Sequence, residues 1–188
     1  MKRRGKNTPP LPVYARVDLT TGGVERFPIS EKYFKKYVGG KCLAARLLLD
    51  LTPPGLDPLS PEAVIIINTG PLNGTGAPST SRFNLSFKNV LTGGIASSNC
   101  GGQFGVMLKR AGFDGLIITG RAAEPSLLEI LDGEIALKPA PELWGLDAEK
   151  TQEALPEWYG KLVIGPAGEN RVLSLIHISE PTRRTPIS

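Results

Sequence analysis

The sequence is poor in the side chains that most often carry chemistry. Its 188 residues include one histidine and two cysteines. The histidine, His177, lies in a C-terminal stretch unlike the rest, so a Ser/His or Cys/His nucleophile pair has no imidazole to draw on. Cys42 and Cys100 form no CxxC and no zinc or cluster spacing, which argues against a thiolate metal centre in this chain and makes a reducing compartment the default. No apolar run approaches the roughly 18 residues of a membrane span, and the first residues, basic and Pro-rich, precede no apolar h-region. Neither membrane nor export is expected, and a cytoplasmic setting follows. Walker, GxGxxG, HExxH and GxSxG patterns are absent, as is any paired-carboxylate cluster.

What the chain does have is backbone punctuation. Gly 22 and Pro 17 exceed ordinary usage without reaching the low-complexity range, so many tight turns are expected. The net charge of +4 and pI near 9.1 invite a nucleic-acid reading. Lys2, Arg3, Arg4 and Lys6 alone supply four positive charges, and the last residues supply one more, leaving residues 7–174 at net −1. The body is not basic, and no specific nucleic-acid partner is expected.

Tyr14 to Leu19 alternates as a strand, and the turn Thr20 to Gly23 returns it as Val24 to Phe27. Ser30 caps a helix carrying Tyr33, Phe34, Tyr37 and Val38, which Gly39-Gly40 interrupts and Leu43 to Leu51 resumes until Pro53-Pro54. Ala63 to Ile67 reads as a strand buried on both faces. Ser81 to Asn89 alternates strictly, with Phe83, Leu85 and Phe87 on one face and Arg82, Asn84, Ser86 and Lys88 on the other. Gly101-Gly102 opens a helix through Arg110, stopped by Gly112. Leu116 to Ile118 is a further strand, Asp132-Gly133 marks a type I′ hairpin, Asp147 caps a helix, and Leu162 to Ile164 is a strand entering Gly165-Pro166. Strand, Gly-Pro and a loop reaching an arginine occur twice, at Gly70-Pro71 before Arg82 and at Gly165-Pro166 before Arg171. The fold predicted is α+β, with duplicated β-α-β-rich halves and mixed or antiparallel sheets.

Three regions follow: a basic leader over 1–12, expected to be disordered; a domain over 13–174; and 175–188 (LIHISEPTRRTPIS), which resembles a translated sequencing adapter and is expected to be non-native.

The segment from Thr69 to Gly105 is the most informative. Arg82, a planar donor fork, is placed to face Asn99-Cys100-Gly101-Gly102, where main-chain N–H groups gather at the expected helix start and Asn99 tolerates positive φ. Phosphate suits such a site. The competing reading pairs Arg82 with a surface carboxylate and gives the glycines to a turn.

Gly70-Pro71-Leu72, Gly74-Thr75, Ala77-Pro78, Ser81-Arg82-Phe83-Asn84, Leu91-Thr92-Gly93, Asn99-x-Gly101-Gly102-x-Phe104-Gly105, Leu108-Lys109-x-Ala111-Gly112-Phe113-Asp114 and Ile164 to Asn170 occur in that order. Together they resemble the N-terminal domain of the aldehyde ferredoxin oxidoreductase family. The resemblance implies a tungsten, less often molybdenum, bis-pterin cofactor, with aldehydes oxidised to acids in an anaerobic, ferredoxin-coupled enzyme. It implies that Arg82 grips a pterin phosphate and that Asn99, Cys100, Gly101 and Gly102 touch the cofactor. The Asn99 carbonyl would be offered to a magnesium linking the phosphates. A 4Fe-4S cluster and the acid/base residues belong to later domains, so this part alone is expected to be inactive. Ferredoxin, the chain's own downstream domains and a second copy in a homodimer are the implied partners. Within the family a subunit reducing aromatic thioesters or carboxylates, or acting on a sugar-phosphate aldehyde, is the alternative. Outside it, the alternative is a non-enzymatic phosphate- or nucleic-acid-binding module.

Overall fold

The structure, a computed structural model, describes residues 10–171. The leader up to residue 9, residues 172–174 and the expected tail 175–188 with His177 lie outside the described residues. The chain opens with the hairpin β1 (Val13–Asp18) and β2 (Gly23–Pro28). Helices α1 (Glu31–Tyr37) and α2 (Gly40–Leu51) follow, broken where the glycines predict; the Ser30 hydroxyl accepts from Tyr33 N at 3.2 Å. Then come β3 (Ile65–Thr69), β4 (Phe83–Lys88), β5 (Ile95–Cys100), α3 (Phe104–Arg110) and β6 (Gly115–Thr119). The hairpin β7 (Ser126–Leu131) and β8 (Glu134–Pro139), a 3₁₀ turn at Pro141–Leu143, and the short helices α4 (Ala148–Ala154) and α5 (Pro166–Glu169) complete it.

One mixed sheet of six strands runs β2-β1-β6-β3-β4-β5, and β7-β8 stand apart as a second, two-stranded sheet. All pairings in the large sheet are antiparallel except β1 with β6. The mixed α/β architecture with mixed and antiparallel sheets is the one the sequence predicts. The two Gly-Pro segments differ within it: Gly70-Pro71 follows β3, whereas Leu162 to Gly165 is irregular and leads into one helical turn.

Both faces of the sheet are covered. On one, α2 buries Leu43, Ala44, Leu47 and Leu48 against Tyr14, Ile66 and Ile117. On the other, Ile67, Phe83 and Leu116 pack with Leu108 of α3 and Phe113, flanked by Ile130 and Ile135 of the small hairpin. The end of α3 is a Schellman motif: Gly112 N donates to Lys109 O (3.0 Å) and Phe113 N to Leu108 O (3.1 Å), with Phe113 and Leu108 in one cluster. Asp114 then ties distant strands together. Its carboxylate accepts from Val13 N at 2.8 Å and pairs with Lys109, while its carbonyl accepts from Thr69 N and Oγ1, both at 2.9 Å.

Candidate anion site on the β4–β5 ladder

The ladder between β4 and β5 sets Phe83 opposite Cys100, Asn84 opposite Asn99 and Ser86 opposite Ser97. Side chains alternate faces along a strand, so Asn84, Ser86, Ser97 and Asn99 share one face, and the positions just past the ladder, Arg82 and Gly101, continue it. Arg82 and Gly101 each lie one residue beyond the Phe83–Cys100 end of the ladder. Arg82 is exposed and forms no ion pair among the described residues, so the surface-carboxylate reading finds no partner.

The remaining expected residues are placed in three ways. Gly101, Gly102 and Gln103 form a loop rather than a helix start: α3 begins only at Phe104 and has no side-chain cap. The N–H groups of these three residues donate to no group among the described residues. Gly102 has φ +92° and Gln103 lies at φ −92°, ψ −20°. The amides of this segment therefore lie in the loop before α3, which corrects the helix-start expectation. Asn99 is a second correction. It is not at positive φ but in extended β5, the edge strand of the sheet. Cys100 alternates to the opposite face, where its side chain packs against the Phe83–Leu108 cluster. Its thiol is separated by the sheet from the face of Arg82 and Asn99.

The face that looked polar and cationic in sequence is largely interior, because α2 lies over β4. Asn84 is 2% exposed and Ser86 fully buried, and their polar atoms are matched to one another. Asn84 Nδ2 lies 2.7 Å from Ser97 Oγ, 3.1 Å from Ser98 O and 3.1 Å from Asn99 Oδ1, and Ser86 Oγ donates to Asn84 Oδ1 at 2.7 Å. The cationic ends of the face are Arg82, which is exposed, and Lys88, whose ammonium donates to Leu56 O at 2.6 Å.

One contributor was not singled out from sequence. Asn73, 1% exposed, donates from Nδ2 to Arg82 O at 3.1 Å and so fixes the backbone that carries the guanidinium. Its position between Leu72 and Gly74 in the GPLxG run was the available signal. An open depression of about 470 Å³ adjoins the ledge, lined by Ser81, Gly102, Gln103, Val106, Met107 and Arg110. Of the two arginines, Arg110 lines this depression and Arg82 does not; neither forms an ion pair among the described residues.

These features allow a test of fit for a phosphate-bearing pterin. A Cβ built at Gly101 or Gly102 meets nothing within 4 Å, so the ledge is open to close main-chain approach. The donor set is a guanidinium, main-chain amides and one carboxamide, which is the chemistry of a phosphate ester site. Among the described residues no three His, Cys, Asp or Glu side chains gather to hold a metal, and no helix is long and apolar enough to cross a membrane. The donor set fits the ester.

A family model described as the N-terminal domain of aldehyde ferredoxin oxidoreductase matches residues 14–185. The chain is 40% identical over 164 residues to a tungsten-containing aldehyde ferredoxin oxidoreductase of Pyrococcus furiosus, a match covering 85% of this chain and 27% of that protein. It is 30% identical over 176 residues to the WOR-like subunit of an aliphatic sulfonate oxidoreductase of the same organism, covering 83% and 28%. Among solved structures, the active-site complex BamBC of benzoyl coenzyme A reductase superposes with a TM-score of 0.81 at 34% identity, covering 86% of this chain and 25% of that one. The chain spans about a quarter of the length of these relatives.

Proposed function

This chain belongs to the aldehyde ferredoxin oxidoreductase family, and from that premise we propose that it is the cofactor-binding N-terminal part of a tungsten or molybdenum bis-pterin enzyme that oxidises aldehydes to carboxylic acids with ferredoxin as acceptor. The observation that carries this reading is an Arg82 without an ion pair, one residue beyond the end of a ladder whose other strand runs into the undonated amides of Gly101 to Gln103. Arg82 grips a pterin phosphate through its fork. Gly101 and Gly102 let the ester lie against the main chain, and Asn99 contributes its carboxamide and offers its backbone carbonyl to magnesium. Cys100 contributes main chain at this edge, its thiol being committed to packing. When bound, the group supplies two-electron redox chemistry; the domain supplies grip and orientation. The 4Fe-4S cluster, the acid/base residues and the contacts to ferredoxin belong to parts of the enzyme outside this chain, which alone is inactive.

The tungsten aldehyde enzymes, at 40% identity, favour aldehyde oxidation over the sulfonate and benzoyl coenzyme A relatives at 30% and 34%. The test uses the full-length protein that carries this domain. Arg82→Ala should lower bound tungsten and pterin together, measured by metal analysis and pterin fluorescence, with an unchanged thermal midpoint. Arg82→Lys should restore only part, because a point charge lacks the bidentate fork. Full cofactor content in both variants would reject the reading.

A further inference from the structure

Asn99 is exposed and lies on an edge strand, where a carboxamide would ordinarily sample both of its orientations. Here one orientation is selected from beneath. Asn84 Nδ2 faces Asn99 Oδ1 at 3.1 Å, so the Asn99 oxygen is engaged inward. Its Nδ2 has no partner among the described residues. The selecting group is itself locked: the Asn84 oxygen accepts from Ser86 Oγ at 2.7 Å, which leaves its two amide hydrogens for Ser97 Oγ, Ser98 O and Asn99 Oδ1, one of them shared. Turning Asn84 over would set its oxygen against Ser98 O, a main-chain carbonyl that can only accept, in a place 98% removed from solvent. The buried network therefore has one low-energy arrangement, and its effect at the surface is to face a donor outward beside Arg82 and the amides of Gly101 to Gln103.

We propose that Asn84 is a positioning residue of this site, fixing the Asn99 carboxamide with its hydrogens outward so that the side chains of Arg82 and Asn99 both present donors to an anion. The proposal rests on the cofactor reading above and adds to it the group that sets the polarity of Asn99. A carboxylate in place of the Asn84 carboxamide makes the consequence testable. Asn84→Asp keeps shape and volume, and Ser86 and Ser97 can both donate to the new acceptor. Asn99 must then turn its NH₂ inward and present its oxygen to the anion. The site's polarity is inverted at one point, and because the carboxylate also faces Ser98 O, a second variant, Asn84→Ser, stands beside it.

The experiment compares full-length proteins carrying Asn84→Asp, Asn84→Ser, Asn99→Ala, the Asn84→Asp/Asn99→Ala pair and Arg82→Ala. The readouts are the rate of loss of bound tungsten and pterin after dilution, and the thermal midpoint of the cofactor-depleted protein. Asn84→Asp and Asn99→Ala should each speed cofactor loss about tenfold, the size of one hydrogen bond to a charged group. The double variant should be no faster than either single one, because both act on one donor. Additive losses in the double variant would overturn the proposal, as would an unchanged rate in Asn99→Ala. If Asn84→Asp does not fold, Asn84→Ser is read by the same criterion. Loss from Arg82→Ala with none from the Asn84 variants rejects the positioning role alone, whereas no loss from Arg82→Ala rejects the cofactor reading itself.

Discussion

Replacing Gly105 by alanine sets two effects of opposite sign against each other. In the interior of a helix the exchange ordinarily stabilises by about 0.5–1 kcal/mol, because glycine loses more backbone freedom on folding. In α3 the added Cβ would lie 2.7 Å from Asn73 Nδ2, 3.0 Å from Ser81 O and 3.3 Å from Phe83 Cβ. None of these can yield cheaply. Asn73 is buried and donates to Arg82 O, Ser81 O is main chain, and Phe83 belongs to the cluster beneath. Overpacking of this kind costs about 1–3 kcal/mol, and losing the Asn73 hydrogen bond adds about 1 kcal/mol. The clash wins, with a net destabilisation of about 1–3 kcal/mol. Urea unfolding followed by circular dichroism should show a lower midpoint with an unchanged slope. In the full-length protein the same change should loosen the cofactor, since it displaces the segment leading into Arg82. A midpoint at or above that of the parent would refute the close approach of α3 to Asn73 and the mechanism built on it.

Two further predictions concern the parts that hold the site's face in place. Val38 ends α1 at φ 64°, ψ −56°, with Gly39 N donating to Tyr37 O at 2.7 Å, a strained three-residue turn for a β-branched side chain that is itself half exposed. Val38→Gly should raise stability by about 1 kcal/mol in the same unfolding assay, and a loss would mean that the turn is not strained. Burial pushes the Tyr14 phenol well above its ordinary value, against a smaller opposing effect from Asn68. Because the folded pKa is raised, the neutral phenol's contribution is complete below the unfolded value of about 10 and is lost as pH rises beyond it. Unfolding free energy should therefore fall above about pH 10 in the parent and fall less steeply in Tyr14→Phe; equal slopes would contradict this.

Local chemistry made much of the fold legible. Ser30 and Asp147 cap where they were expected, the latter accepting from Lys150 N at 2.8 Å, and Asp132 and Gly133 take the positive φ values of 48° and 87° that a type I′ turn needs. The β-branched run before Gly70 became the central strand β3 because both faces of the sheet are covered. What failed was long-range. Strand β5 has no apolar alternation to announce it: Ile95-Ala96-Ser97-Ser98-Asn99-Cys100 is a polar edge whose partners are the side chains of β4. The signal lay in its turn, where Asn89 Oδ1 accepts from Leu91 N and Thr92 N, both at 2.9 Å, and Gly93 follows at φ 68°. Missing that strand put Asn99 at a helix start and hid its neighbour Asn84, whose burial under α2 no periodicity could indicate. Leu162 to Ile164 carries strand propensity, yet no described strand lies ready to pair with it, and it stays irregular. Arg82 and the glycine segment were legible as candidates because both are distinctive residue types in one motif-rich stretch.

The parallel seam between β1 and β6, closed by a hydrogen bond from Val13 to Asp114 across 101 positions, bears on how the domain is made. During synthesis the first hairpin has no lateral neighbour until residue 119 has cleared the ribosome, and a loop of that length must be gathered before the seam repays its entropy. The centre of the sheet is therefore a late event in folding. A nascent chain halted before β6 would lack the strand that β1 and β3 both pair with, leaving one edge of each unpaired and open to the chaperones that recognise such edges.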